Sequence, residues 1–299
     1  MLTTAQLRQA AARSGARDIG ITEIEVMLTH LLQLFHERGL TEHLAFKGGT
    51  FLRKMIFGPR GRLSTDLDFT CRTDISLDDL TLGLLDALSQ PYRGLSFRFD
   101  RARDWYLTDD GCAANPVLVH PDNSTGVRIK IQVSVREHPI RPVTAMPQLD
   151  QGYFPNLGFV PAAIPSLALE EVVSEKIRAA SQRSKIRDLY DLSEVARRPL
   201  QRDLIRALAV LKLWNSTGPG LDFELFRSRI EGGRDYDLSD LRNLLRRDQS
   251  PDLAGMIARV LDSFQFLGQM TEIERALAAD LPRRRRNEAA AYRATTAAM

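Results

Sequence analysis

Long apolar runs are missing from this chain. No stretch of about 18 apolar residues occurs, so nothing reads as a membrane-spanning helix. The opening MLTTAQLRQAAARSG holds no apolar segment of signal-peptide length either. The expectation is a cytoplasmic protein with no membrane partner. Cysteine is scarce. Cys71 and Cys112 stand far apart and form no CxxC pair, which argues against a disulfide framework and against structural zinc. None of His30, His36, His43, His120 and His138 has zinc-ligand spacing to them, so structural roles are expected for the histidines. A strong charge of one sign is lacking too, the net being +3, and no internal repeat is evident.

What is there is the balance of a globular protein. Hydrophobic residues make up 43% and charged residues 26% of 299 residues, enough for a buried core in one large domain or two ordinary ones. Basic residues cluster at Arg53, Lys54, Arg60 and Arg62, from Arg178 to Arg187, and from Arg283 to Arg286. That pattern permits a polyanionic partner without requiring one. The last cluster reads equally well as a solvated tail.

Periodicity divides the chain. Apolar residues spaced by three and four predict a helix over Ile21 to His36, and Leu44-Ala45-Phe46 reads as a short buried strand. Lys47-Gly48-Gly49-Thr50 follows as a strand-to-helix turn, with a helix over Phe51 to Ile56. Asp66 and Asp68 alternate with Leu67 and Phe69, a strand with one polar and one apolar face. A helix capped by Ser76 with Asp79 runs from Leu77 to Leu88, and strands are expected at Leu95 to Phe99, Pro116 to His120 and Val127 to Val135. The Pro- and Gly-bearing stretch from Arg141 to Pro165 reads as a long loop or connecting arm.

Beyond that arm the pattern turns helical. Helices are expected at Leu167 to Ser181, Arg187 to Arg197, Arg202 to Trp214, Ser239 to Leu244 and Pro251 to Phe266, with a loosely held helix over Leu281 to Met299. Gly232-Gly233 lacks a preceding strand and reads as a loop. The fold class is α+β: an N-terminal mixed sheet with helices over 1–140, a connecting arm over 141–165, and a mainly helical domain over 166–299 that contributes to the cleft.

Strand period two puts the Asp66 and Asp68 carboxylates on one side. Like charges held together are costly, and a divalent cation relieves that cost. Magnesium, with manganese as the alternative, takes hard oxygen ligands and keeps sites for water and phosphate. Taken alone, the triplet also reads as solvated residues at a strand edge. The combination is sharper: the Gly48–Gly49 turn can offer backbone N–H groups to a triphosphate, with Lys47, Thr50, Arg62 and Ser64 adding cations and hydroxyls. Together these fit phosphoryl or nucleotidyl transfer from a nucleoside triphosphate.

FKGGTFLRK followed by RLSTDLDF resembles the signature of the AbiEii/AbiGii-type toxin nucleotidyltransferases, a branch of the polymerase-beta-like nucleotidyltransferase superfamily. A second block, EKIRA followed by RDLYDL, supports the resemblance. The resemblance implies that Lys176 reaches the nucleotide phosphates and that Asp191 supports catalysis or positions a basic partner. Asp188 and Asp191, three apart on a helix, share a face and join the candidate nucleotide site. The resemblance further implies a toxin of a toxin–antitoxin or phage-defence system, an antitoxin partner, and the 3′ end of tRNA or another RNA as acceptor. Arg178, Arg183, Lys185 and Arg187 are the cations offered to such a backbone. Protein and small-molecule acceptors stay open, as does a nucleotide-binding regulatory protein of low turnover. A DNA-binding module lacks a compact helix-turn-helix signal.

One departure stands out. Where the superfamily commonly supplies a third metal carboxylate, VRIKIQVSV offers Gln132, which can ligate magnesium through its amide oxygen but adds no charge. Two carboxylates suffice, or Glu137 or Asp191 compensates, or activity is reduced. Lys130, on the same strand face, is a further candidate phosphate contact or a solvated strand lysine. Tyr190 and Trp214 read as core more readily than as base-stacking platforms.

Overall fold

A computed structural model describes residues 1–108, 110–232 and 236–299. Gly233, half of the pair assigned to a loop, lies outside the described residues. The chain divides into two compact units. One comprises Met1–Pro139, Val143–Ser166 and Asn243–Gln249, the other Ile140–Pro142, Leu167–Arg242 and Ser250–Met299.

In the first unit, α1 (Thr4–Ser14) starts on a Thr3–Gln6 capping box and ends at Gly15, and α2 (Ile19–Glu37) starts on Asp18. Residues 26 to 35 of α2 are all buried, so this helix is the spine of the core rather than a surface element. Strand β1 (Leu44–Lys47) runs into α3 (Gly48–Phe51), which continues as a π-helix over Leu52–Phe57. There follow β2 (Asp66–Cys71), α4 (Leu77–Ala87), β3 (Ser96–Arg98), α5 (Arg101–Asp104), β4 (Trp105–Thr108) and β5 (Gly111–Ala114). Strands β6 (Val117–His120), β7 (Asn123–Arg128), β8 (Lys130–Ser134), β9 (Thr144–Met146) and β10 (Ile164–Ser166) complete the unit.

Among the described residues these strands form a seven-stranded mixed sheet, β4-β5-β8-β2-β1-β10-β9, and a small sheet, β3-β6-β7. Strand β2 pairs antiparallel with β1 and parallel with β8. Phe46 and Phe69 are cross-strand partners with ring centroids 5.4 Å apart, and Phe35 from α2 packs 6.0 Å from Phe69. Burial of these rings pins the register, because a one-residue slip would turn Phe69 outward and Asp68 inward.

Two expectations change here. Val127 to Val135 is not one strand: β7 belongs to the small sheet and β8 to the large one, with the Ile129 N–H donating to the Pro116 carbonyl at 3.0 Å between them. Alternation continues across the break, so periodicity carries no sign of the change of sheet. The stretch from Arg141 to Pro165 is not wholly a connecting arm either. Its ends supply β9 and β10, paired antiparallel to each other, with β10 parallel to β1. Three-residue strands, one followed by Pro147 and the other carrying Pro165 at its centre, are too short for a period to register.

The second unit is helical: α6 (Leu169–Gln182), α7 (Ile186–Val195), α8 (Arg202–Trp214), α9 (Phe223–Glu231), α10 (Leu238–Arg242), α11 (Leu253–Ser263), α12 (Glu272–Ala279) and α13 (Arg286–Ala298). Residues 204 to 213 of α8 are all buried, and Lys212 among them is neutralised by Glu171 at 2.7 Å. The terminal helix is firmly docked rather than loose. Thr296 is fully buried, Tyr292 Oη bonds Glu274 at 2.7 Å, and Arg141 donates to the Thr296 and Ala297 carbonyls. Among the described residues no helix is long and apolar enough to cross a membrane.

Candidate active site

The register of β1 on β2 sets the site. Lys47 lies directly opposite Asp68, on the face away from the Phe46–Phe69 pair. Parallel pairing puts Gln132 of β8 beside Asp68 and Lys130 beside Asp66. Lys47, Asp68 and Gln132 therefore form a row across three strands, with neighbours about 4.8 Å apart. Asp66 and Asp68 are each half-buried, whereas Leu67 and Phe69 are buried.

The two glycines are required by side chains of the site itself. Gly48 has φ +80, and a Cβ there would stand 2.9 Å from Asp68 Cβ and closer still to its carboxylate. A Cβ on Gly49 would stand 2.5 Å from Arg62 Nη2 and 3.3 Å from Ser64 Oγ. Only a bare backbone lets Asp68, Arg62 and Ser64 approach the turn. Ser64 Oγ donates to Asp66 Oδ1 at 3.0 Å, fixing that carboxylate. Thr50 is fully buried and its hydroxyl donates to the Asp66 carbonyl at 2.5 Å, so it ties the turn to β2.

Beneath the turn lies a buried ionic cluster that sequence reasoning missed. Arg53 Nη1 donates to the Gly58 and Gly61 carbonyls at 2.6 and 2.8 Å, holding the loop that delivers Arg62. Arg53 and Lys54 both reach Glu25 Oε1 at 3.3 Å, and Lys54 also donates to Thr29 and Tyr153. Burial pushes the Glu25 carboxyl up, but Lys54 and Arg53 outweigh it and hold it below the usual carboxylate range. The first basic cluster of the sequence thus faces inward at Arg53, Lys54 and Arg62, each at most 4% exposed. Glu25 shares its helix with Glu23 and Glu37, so nothing local marked it as the partner of the Arg-Lys pair.

Asp110, next to β5, is a second residue that was missed. Arg136 grips its carboxylate and, with burial opposing, draws its pKa down, Lys47 adding to the pull. The Lys47 ammonium is thus within electrostatic reach of Asp110, on the unit that carries Asp68.

The second unit holds its own constellation. Lys176 Nζ lies 3.0 Å from Asp188 and 2.8 Å from Asp191, and Arg183 lies 3.0 Å from the other Asp188 oxygen. Burial opposes the charge on Asp188, yet Lys176 and Arg183 prevail and bring it down to about 2. Burial, with the Asp188 charge, pushes nearby Tyr236 up to about 12. Asp188 and Asp191 face one cation, as three-residue helical spacing predicts. Arg187 forks onto Asp240 at 2.7 and 2.8 Å, so it and Arg183 already hold carboxylates, while Lys185 is exposed. Tyr190 is buried, and Trp214 donates to Asp280.

Among the described residues no group of three or more His, Cys, Asp or Glu converges on one point. The donor set of Asp66 and Asp68, with the Gln132 amide beside Asp68, nonetheless fits magnesium, which usually takes one or two carboxylates and completes its shell with water and phosphate. The side-chain-free Gly48 lets the Asp68 carboxylate itself lie against the backbone of the turn. A cleft of about 1010 Å³ lies in the second unit among Leu221, Asp222, Phe223, Glu224, Met270 and Arg275. It contains none of the residues above, and its size does not mark the chemistry.

A mixed sheet carrying a Gly-Gly turn against a strand-borne DxD pair is the frame of a polymerase-beta-like nucleotidyltransferase. The model of the family described as "Nucleotidyl transferase AbiEii toxin, Type IV TA system" matches residues 30–279. The chain belongs to this AbiEii nucleotidyltransferase toxin family. Its structure is similar to that of MenT4, a nucleotidyltransferase toxin from Mycobacterium tuberculosis H37Rv, with TM-score 0.79 and 27% identity over 98% of this chain and 99% of that one. A weaker likeness links it to JHP933 from Helicobacter pylori, with TM-score 0.48 and 18% identity over 85% of this chain and 97% of that one. No curated protein matches the chain.

Proposed function

We propose that the protein transfers a nucleoside monophosphate from a nucleoside triphosphate to an acceptor hydroxyl, and that the acceptor is the 3′ end of tRNA. The observation that carries this reading is the opposition of Lys47 and Asp68 across β1 and β2, with Gly48 and Gly49 bared to Asp68, Arg62 and Ser64. Asp66 and Asp68, with the Gln132 amide beside them, are the residues that would hold magnesium or manganese. When bound, such an ion neutralises phosphate charge and polarises the α-phosphate.

The chain's own residues do the rest. Backbone N–H groups at Gly48 and Gly49 receive phosphate oxygens, Lys47 and Arg62 supply positive charge, and Ser64 keeps Asp66 oriented. Lys176 adds a phosphate contact, with Asp191 and Asp188 positioning it, and Lys130, beside Asp66, adds a further cation. The acceptor oxygen bonds to the α-phosphorus as the α–β P–O bond breaks. Pyrophosphate leaves with the bonding pair, and the hydroxyl proton passes to solvent. Such a transfer on tRNA blocks its aminoacylation and arrests growth, the action of a toxin held in check by a cognate antitoxin. MenT4, similar over nearly the whole chain, carries the name of a nucleotidyltransferase toxin.

Gln132 beside Asp68 favours one second reading, a nucleotide-binding regulator of low turnover. Purified protein is incubated with magnesium, total tRNA and each labelled nucleoside triphosphate in turn. Label on RNA is the expected result; nucleotide binding with no incorporation into RNA overturns the transferase reading in favour of the regulator.

A further inference from the structure

The basic runs that stand out in the sequence are largely used inside the protein. Arg53 and Lys54 sit on Glu25, Arg183 on Asp188 and Arg187 on Asp240, while Arg283 donates to the carbonyls of Asp280, Leu213, Ser216 and Gly218. A different cationic surface is assembled only by folding. The segment Asn243–Gln249 packs within the first unit. There the Leu63 N–H donates to the Leu244 carbonyl at 2.8 Å, Arg247 N–H to the Gly15 carbonyl at 2.8 Å, and Gln249 Nε2 to the Arg60 carbonyl at 3.2 Å. Ala16 and Arg246 form an isolated antiparallel bridge.

These contacts gather guanidiniums from four places in the chain. Arg17 donates to the carbonyls of Arg246 and Gln249 at 3.2 and 2.8 Å, and its buried Nε has no partner among the described residues. Arg13 in the last turn of α1, Arg60 and Arg247 are exposed. Their side chains donate to no carboxylate among the described residues. The acids nearby are already committed: Asp248 pairs with Arg246 at 2.9 Å, and Asp18 caps α2 through Gly20. Through Leu63 the same segment borders Arg62 and Ser64, the residues that lean on Gly49.

We propose that this surface, formed by Arg13, Arg60, Arg246 and Arg247 above Arg17, docks the phosphodiester backbone of the RNA acceptor. The inference rests on the reading of the protein as a transferase acting on RNA. Arg246 is held by Asp248, whose charge also feels Arg60, so one carboxylate stands against four exposed or half-exposed guanidiniums. That excess of positive charge suits a polyanion, since a guanidinium can fork onto a phosphate. Backbone contacts position rather than select, so this face holds many RNAs in one orientation while the site at Asp66 and Asp68 acts on the end presented to it.

The test measures binding of dye-labelled total tRNA by anisotropy across a salt series, with neither nucleotide nor metal. Wild type is compared with R60A/R247A and with R101A/R202A, which removes two exposed arginines elsewhere. Thermal unfolding checks that each variant is folded. R60A/R247A is expected to bind about tenfold more weakly near 0.1 M salt, with the slope of log K on log salt shallower by about two. The control stays within about twofold of wild type, as expected for charges outside the contact. Equal losses in both variants, or wild-type binding by R60A/R247A, overturn the docking face. So does a protein partner that R60A/R247A loses while tRNA binding is unchanged. Weakened binding by R60A/R247A from a wild type that never labels RNA keeps the docking face and sinks the transferase reading alone.

Discussion

Gly48 and Asp68 occupy each other's margin: a methyl group on the glycine would stand 2.9 Å from Asp68 Cβ, and the glycine backbone lies at φ +80. Gly48→Ala therefore meets both a strained backbone and a displaced carboxylate. The expected outcome is a loss of about 1–2 kcal/mol in stability together with a larger loss of nucleotide incorporation. Urea unfolding and a labelling assay on the same preparation check it. A variant that is destabilised but labels RNA normally removes Gly48 from the site.

Asp66 and Asp68 are half-buried on a strand whose core face is Leu67 and Phe69. Their replacement by Asn keeps shape and leaves that core alone. Asp66→Asn and Asp68→Asn should each lower incorporation by at least about a hundredfold while leaving the melting temperature within a few degrees of wild type. Retained labelling in both would mean that these carboxylates hold no ion that the reaction needs.

Much of this site could be read before folding because its parts lie close in the chain. Gly48, Gly49, Ser64, Asp66 and Asp68 fall within a strand, a turn and a strand, and local periods of two and 3.6 place them. What escaped depends on contacts between distant segments. Glu25 reads as one polar position of an amphipathic helix until Arg53 and Lys54 close on it from the π-helix. The joining of Ala16 to Arg246 and of β1 to β10 leaves no local trace. The break at Ile129 is invisible for a related reason, since both strands keep their alternation while changing sheets.

Asp188 makes acid stability a readout of the second constellation. Its pKa is drawn down to about 2 from 3.8 by Lys176 and Arg183 against the opposing effect of burial. A depressed carboxyl pKa stabilises the fold above the unfolded value and ceases to do so as pH falls through the folded value. The contribution is about 2 kcal/mol near neutrality, lost between pH 4 and 2. Asp188→Asn should unfold more readily at pH 7 and lose less on acidification across that window, measured by urea midpoints at each pH. An unchanged acid slope would detach Asp188 from the pair with Lys176.

Gln132 is the position at which a single substitution should improve the protein. It pairs directly with Asp68, which in turn faces Lys47, so its side chain lies in the row of ionisable groups without adding a charge. A carboxylate there would sit beside Asp68, and in the absence of a cation the like charges would repel and raise one pKa. With a divalent ion present the same proximity becomes coordination by a third hard, anionic oxygen. Gln132→Glu should therefore destabilise the metal-free protein slightly, strengthen its dependence on magnesium, and lower by several-fold the concentration giving half-maximal incorporation. A magnesium titration of labelling and of melting temperature reads both effects. If neither moves, the ion is not held on the Asp68 side of this row, and the amide is no weakness of the site.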